Sequence, residues 1–324
     1  MKAIIYQKYG GPEVLQYVDQ PTPIPGDDEV LVKIKAASLN AADWHVMRGK
    51  PYFMRLMFGW PRPKVQRLGC DLAGVVESVG ADVTTLKPGD EVFGDISGRN
   101  FQGFGAFAEF VTVPADELVK KPVNLTFQEA AAVPLAAVTA IQALRTGGIQ
   151  KGTRVLVHGA SGGVGTYVVQ MAKAMGGQVT AVCSAGKMDM IKSLGADRVI
   201  DYTSQDFSDT EDKFDLVLAV NGSHSVFKYK SVLAPKGHYV MIGGSNKQMF
   251  EPMILKPFIE GKDGQQFTIL SAKTNPEDLT YVKGLIEEGC VRPTLDGEYT
   301  LEQLPEAMRY LESGHVRGKI VINI

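Results

Sequence analysis

The chain has 324 residues, 44% hydrophobic and 22% charged, with 34 Lys+Arg against 36 Asp+Glu and a net charge of −2. That length suits two domains with sizeable cores and excludes a largely disordered chain, and the near-neutral balance excludes bulk attraction to nucleic acid or an anionic membrane while leaving a local basic patch open. Three cysteines far apart in sequence, Cys70, Cys183 and Cys290, make neither a disulfide framework nor a zinc knuckle and point to a reducing, cytoplasmic compartment.

The first residues, Met1 to Lys8, carry no long apolar stretch of the secretory kind, and no apolar run approaches the roughly 20 residues that span a bilayer. Residues 29–37 alternate with Val30, Val32 and Ile34, and further β-rich runs follow at 72–79, 91–93 and 106–113. Pro25-Gly26, Pro88-Gly89-Asp90 and Gly105 punctuate them, which predicts a β-rich, barrel-like domain over roughly the first 120 residues. Residues 48–67 are irregular and proline-broken, with Pro51, Pro61 and Pro63 among Tyr52, Phe53, Phe58 and Trp60. This segment is either a lid or a packed surface loop. Ala130 to Leu144 reads as a buried, helix-rich stretch.

From Val155 the rhythm changes. Strands at 154–157, 178–183, 198–200, 214–220 and 238–242 alternate with helices at 167–175 and 188–194, each helix closing on glycine. This predicts a parallel, doubly wound sheet. Leu279, Val282 and Ile286 then repeat at helical spacing. Thr300 and Gln303 make a capping-box pattern before Leu304, Met308 and Leu311, and 318–324 reads as a closing strand.

The sharpest local signal is Val155-Leu156-Val157-His158-Gly159-Ala160-Ser161-Gly162-Gly163-Val164-Gly165. It stands between a strand and a helix, the context a dinucleotide fingerprint requires. Ala160, Gly162 and Gly165 fill the three glycine slots. The bare backbone at Gly162 admits a pyrophosphate, the helix N-terminus supplies N–H groups from Ser161, Gly163 and Val164 onward, and Gly165 permits close helix–strand packing. After the second strand no carboxylate appears until Asp189; Ser184 and Lys187 stand there instead. A hydroxyl and an ammonium suit a 2′-phosphate and favour NADPH. The other reading is an ordinary polar loop with a solvated lysine.

Several blocks recur in a recognisable order: 38–44 (SLNAADW), 69–80 (GCDLAGVVESVG), 88–92 (PGDEV), 105–110 (GAFAEF), 134–140 (PLAAVTA), the glycine loop, and 318–321 (GKIV). In these the chain resembles the medium-chain dehydrogenase/reductase family, specifically its zinc-independent quinone oxidoreductase branch, near the enone-reducing and chloroplast-envelope quinone-oxidoreductase-like members. The resemblance implies an α/β fold: a GroES-like, β-barrel-type substrate domain of 1–124 and 275–324, and a doubly wound Rossmann NADPH-binding domain of 125–274, with the active site between them. Zinc-using relatives carry Cys where this chain has Asn40 or Ala41, and His-Glu where it has Cys70-Asp71, so no metal site is expected. The resemblance places Asn40 at the nicotinamide ribose or substrate and Asp43 as a loop brace. It puts His45 where relatives carry a Lys or Tyr donor; the alternative is a structural imidazole. Tyr52 is a second donor candidate. Thr139, Tyr202, Asn221, Ile242 and Gly243 match cofactor contacts. The strand-like run at 266–272 matches one that pairs with its copy, which implies a homodimer.

The expected activity is NADPH-dependent, zinc-independent hydride transfer to quinones or α,β-unsaturated carbonyls, with a small-molecule substrate and neither nucleic acid nor a membrane span. The alternatives are an NADPH-binding sensor or scaffold with vestigial catalysis, and an alcohol dehydrogenase.

Overall fold

The computed structural model describes residues 1–98, 104–222, 224–244 and 263–324. In chain order the first stretch forms β1 (Lys2–Ile5), β2 (Gln16–Asp19), β3 (Glu29–Ser38), α1 (Ala41–Arg48), α2 (Met54–Phe58), β4 (Asp71–Val79), β5 (Glu91–Asp95), β6 (Phe110–Pro114), β7 (Val119–Lys120) and α3 (Phe127–Ala131). The middle forms α4 (Pro134–Thr146), β8 (Arg154–His158), α5 (Gly163–Ala174), β9 (Gln178–Cys183), α6 (Met188–Ser193), β10 (Arg198–Asp201), β11 (Phe214–Ala219), α7 (Val226–Val232), β12 (Leu233–Met241) and β13 (Gln266–Ile269). The chain closes with α8 (Pro276–Glu287), β14 (Leu295–Thr300), α9 (Leu304–Glu312) and β15 (Lys319–Asn323).

Contacts divide the chain into one unit of residues 1–136, 274–287 and 293–324 and another of 137–273 and 288–292. The first unit therefore extends past the 124/125 boundary read from sequence. The physical reason is α3, whose Ala130 and Ala131 are buried and which packs on β3 and β4.

The sheet of the first unit runs β14-β15-β3-β4-β5-β7, with β6 also paired to β3. Strand β3 holds it together. Its first half pairs with β6, its last residues with β15, and its whole length with β4. The β3/β4 register shifts twice, at Leu31/Val32 and Ile34/Ala36. Such bulges bend and twist a sheet strongly, which is how a single sheet coils toward a barrel. Val32, Leu72, Phe107, Leu304, Met308 and Ile320 belong to one buried apolar cluster beneath it.

The second unit carries six parallel strands in the order β10-β9-β8-β11-β12-β13. Numbered along the chain, that is 3-2-1-4-5-6, the doubly wound dinucleotide-binding order. Its central strands β8 and β11 are buried along nearly their whole length, as strands covered on both faces must be. That is why they read in sequence as unbroken apolar runs.

Some expectations shift. The strand read at 106–113 is shorter, at 110–114, and the one read at 238–242 begins at Leu233. Residues 41–48, taken as loop, are helix α1. The segment 48–67 contains α2, flanked by cis peptides at Lys50-Pro51 and Trp60-Pro61.

Candidate functional site

In the first unit the chemistry gathers at the start of α1. Asn40 is the residue before the helix, in extended conformation. Its backbone N–H donates to Asp43 Oδ2 at 2.8 Å, and Asp43 Oδ1 accepts from the Gly69 N–H at 2.9 Å. Asp43 thus braces the segment, as expected. The Asn40 side chain turns into a buried polar cluster. Its Nδ2 donates to Asp71 Oδ2 at 2.8 Å and approaches Cys70 Sγ at 3.4 Å, and its Oδ1 accepts from Lys319 Nζ at 2.6 Å. Lys319 also donates to the Leu39 carbonyl at 3.0 Å and to Asp71 Oδ2 at 3.3 Å. Asp71 further accepts from Ser38 Oγ and the Leu135 N–H. Burial pushes Asp43 up to about 7, and burial with the nearby Asp71 carboxylate raises Asp95 to about 6.

Lys319 is the member of this cluster that sequence reasoning assigned no role. The signal available was a lone charged residue opening an apolar strand, Lys319-Ile320-Val321-Ile322. A charge in a buried strand requires a partner, and the partner is Asp71.

His45 lies on α1, half-buried. Its Nδ1 is 3.0 Å from the Lys50 carbonyl, and its ring stacks on Trp44 with centroids 3.6 Å apart. A carbonyl only accepts, so Nδ1 carries the proton and neutral His45 presents Nε2 as an acceptor. Burial lowers its pKa, partly offset by the Lys50 carbonyl. Tyr52 is exposed, with Lys50 Nζ and the Arg55 guanidinium over its ring.

In the second unit most of the expected cofactor residues follow the carboxyl ends of the parallel strands. The glycine loop follows β8, Ser184 and Lys187 follow β9, Tyr202 follows β10, Asn221 follows β11, and Ile242 and Gly243 follow β12. Thr139 is the exception, buried on α4. The strand order reverses at β8, and a Cβ placed on Gly159 would lie 2.9 Å from the Asn221 backbone nitrogen. Doubly wound sheets bind ligands where their strand order reverses.

The two loop glycines differ in what they serve. A Cβ on Gly165 would meet the Gly159 carbonyl oxygen at 2.2 Å, so the fold itself excludes a side chain there. A Cβ on Gly162 would have its nearest neighbour at 3.8 Å. Packing does not require glycine at that position, which caps α5 without any side-chain hydrogen bond. The first turn of α5 therefore offers backbone N–H groups and positive dipole to an anion approaching over a bare Cα. Ser184, Lys187 and Tyr202 add two hydroxyls and an ammonium. This set fits a dinucleotide with a phosphorylated ribose. Asp201, at the end of β10, was not singled out in sequence; its carboxylate is held by Thr203 and Ser204.

Residues 26–123 match the alcohol dehydrogenase GroES-like domain family, and residues 194–322 match a family described as zinc-binding dehydrogenase. The chain is 39% identical over 332 residues to 2-methylene-furan-3-one reductase of Solanum lycopersicum, covering 100% of this chain and 79% of that protein. It is 36% identical to the chloroplastic NADPH-dependent alkenal/one oxidoreductase of Arabidopsis thaliana, covering 99% and 79%. Its fold superposes on Escherichia coli quinone oxidoreductase complexed with NADPH with a TM-score of 0.86, at 28% identity and full coverage of both chains.

Among the described residues, the one cluster of metal-ligating type does not fit a zinc ion. Cys70, Asp71 and Asp95 do converge within 4.8 Å. Yet Asp71 is filled by four donors, one of them an ammonium. A zinc site needs donors whose lone pairs are free for the metal.

Proposed function

This chain belongs to the quinone and enone oxidoreductases of the medium-chain dehydrogenase/reductase family, and from that premise we propose how its residues carry out reduction. It is an NADPH-dependent oxidoreductase acting on quinones or α,β-unsaturated carbonyls. The observation that carries the substrate class is the similarity, over the whole chain, to the Solanum lycopersicum reductase.

NADPH, when bound, would supply the hydride for the substrate's electrophilic carbon. The α5 N-terminus and Gly162 would bind its diphosphate. Ser184, Lys187 and Tyr202 would hold the 2′-phosphate. Ile242, Gly243, Asn221 and Thr139 would orient the nicotinamide half. In the first unit, Asn40 has both amide hydrogens directed at Asp71 and Cys70. Only the second lone pair of its Oδ1 remains, so Asn40 accepts from a ligand hydroxyl. His45 delivers a proton from Nε2 only as imidazolium, so it must be loaded from solvent before each reduction. Tyr52 is the second donor candidate. A quinone needs only hydride and solvent protons, so it depends less on either.

The same reading extends to three further properties. Catalysis proceeds without zinc, supported by Lys319 standing among the acidic groups and by Asn40 and Ala41 where zinc-using relatives place a cysteine. Two copies pair through β13, supported by its place at the edge of the six-stranded sheet; an unpaired edge is a liability that a two-fold partner removes. The compartment is reducing and cytoplasmic, supported by three unbridged cysteines.

The test is NADPH oxidation against a panel of quinones, alkenals, enones and saturated ketones. Turnover of the first three with none of the last is expected. NADPH binding with no turnover of any would make the chain a sensor and overturn the reading.

A further inference from the structure

Five of the twelve exposed large apolar side chains among the described residues fall within 52–60: Tyr52, Phe53, Leu56, Met57 and Trp60, exposed from 48% to 81%. They are arranged by α2. On its inner side Met54 packs against the apolar cluster of the first unit and Phe58 is buried in it. The outer side carries Phe53, Leu56 and Met57, at i, i+3 and i+4, which share one helix face. A surface helix ordinarily turns polar residues outward. This one is apolar both inward and outward.

The exposed face is held in place. The Tyr9 hydroxyl donates to the Gly59 carbonyl at 2.7 Å, and Arg55 donates to the Gly49 carbonyl. The Arg55 guanidinium lies over the rings of Tyr9, Tyr52 and Trp60 at 4.7, 5.0 and 5.7 Å. Trp60 and Tyr52 are thereby joined to the helix face in one patch.

The segment that carries the patch is charged with one sign only. Between Asp43 and Asp71 there is no acidic residue, while Arg48, Lys50, Arg55, Arg62, Lys64 and Arg67 are basic. Arg48 is paired with Glu312, but Lys50, Arg62 and Lys64 are exposed, with no carboxylate in salt-bridge reach among the described residues. This is a local exception in a chain of net charge −2.

We infer that residues 50–64 form a peripheral docking surface for an anionic lipid bilayer, with Phe53, Leu56 and Met57 entering the acyl boundary, Trp60 at the headgroup level, and Lys50, Arg62 and Lys64 against lipid phosphates. Apolar insertion and basic attraction are the two signals that together hold a protein on a membrane surface, and amphipathic aromatic rings favour the interface between them. A purely acidic surface would satisfy the lysines and arginines but leave the outer helix face in water. No helix among the described residues is long and apolar enough to cross a membrane, so the association is reversible. The inference stands on this surface alone and does not depend on the assigned activity.

The test is flotation of the full chain with vesicles of phosphatidylcholine alone and of phosphatidylcholine with phosphatidylserine. Binding to the anionic vesicles, about tenfold or more above the neutral ones and weakened by salt, is expected. Leu56→Asp/Met57→Asp and Arg62→Glu/Lys64→Glu should each reduce that binding about tenfold or more, while both variants oxidise NADPH with a water-soluble enone at the wild-type rate. Absence of serine-dependent flotation overturns the inference, as does flotation of both variants equal to that of the wild type. Wild-type self-association lost in Leu56→Asp/Met57→Asp, without vesicle binding, would assign the face to a second copy. Slower turnover of the soluble enone in that variant, with vesicle binding intact, would make it a substrate lid. Either result overturns the proposal.

Discussion

Lys319 Nζ lies 2.6 Å from Asn40 Oδ1, and this one contact decides which way round the Asn40 amide sits. An ammonium only donates, so the oxygen must face it and the nitrogen must face Asp71 and Cys70. The amide is oriented by a residue 279 positions away in sequence. Replacing Lys319 with Met would leave Asp71 as a buried charge without its cation. Breaking a buried pair in this way costs about 3–5 kcal/mol. Urea unfolding of Lys319→Met should show a loss of that size, and an unchanged midpoint would refute the pairing.

The two glycines of the nucleotide loop should separate under the same substitution. Gly165→Ala places a Cβ 2.2 Å from the Gly159 carbonyl oxygen, and overpacking of that kind costs about 1–3 kcal/mol or more. Gly162→Ala meets nothing closer than 3.8 Å and should leave the melting temperature intact. It should weaken NADPH about tenfold or more, a loss of about 1.4 kcal/mol. Calorimetric titration and thermal melts of the two variants together check both halves.

Lys187→Ala should weaken NADPH by about 1–3 kcal/mol, the range for a hydrogen bond to a charged group, and leave NADH almost unchanged. Equal wild-type affinities for the two cofactors would defeat the assignment of the 2′-phosphate site.

The pH dependence of enone turnover should follow the His45 imidazolium. Burial holds its pKa below the ordinary histidine value, so the proton-donating form grows as pH falls through that lowered pKa and is scarce at neutral pH. Turnover of enones should rise toward acid while quinone turnover stays flatter. His45→Ala should lower enone turnover by about 10- to 1000-fold and remove the acid limb, with NADPH affinity unchanged. A pH profile identical in wild type and variant would return the proton to Tyr52 or water.

His158 supplies a test on stability. It closes β8, with Nδ1 2.7 Å from the Tyr229 hydroxyl. Burial, with the neighbouring His224 and Lys228, lowers it to about 4 from 6.5. The unfolded chain then binds the proton first, so the contribution is intact above about pH 6.5 and is lost as pH falls toward 4. The difference amounts to about 3 kcal/mol. Asp43, raised to about 7, acts with the opposite sign over this range, so wild type alone shows only the sum. The difference between wild type and His158→Gln in urea unfolding, taken at pH 7 and pH 4.5, isolates the histidine. It should shrink at acid pH.

What could be read in the sequence follows the range of each interaction. The parallel sheet of the second unit was legible because strands buried on both faces are continuous apolar runs, and because Gly165 is demanded by packing within its own turn. Strands β1, β2 and β14 are only partly buried and carry no clean alternation, so nothing marked them. Helix α1 was read as loop although Asn40 and Asp43 stand at cap and third-residue spacing; the Asn40 side chain departs from the capping role and serves the buried cluster. That cluster was hidden because Asn40, Asp71 and Lys319 lie on three separate elements. Leu56 and Met57 were hidden for the opposite reason: an apolar residue facing water is written in the same letter as one facing the core.

The place of β15 bears on how the protein comes to exist. It lies between β14 and β3 inside the sheet, so the first unit has an open interior until residues 319–323 have left the ribosome. The second unit needs little beyond residue 273 and can be complete while its neighbour in the chain still waits for a strand. During that interval β3 exposes the backbone N–H and C=O groups of Ala36 to Ser38, which β15 later pairs, and Asp71 has no ammonium beside it. A nascent chain stalled or cut short before residue 319 would thus present a finished nucleotide fold joined to an adhesive, half-made barrel, a form that chaperones and proteases would distinguish from a chain that carries β15.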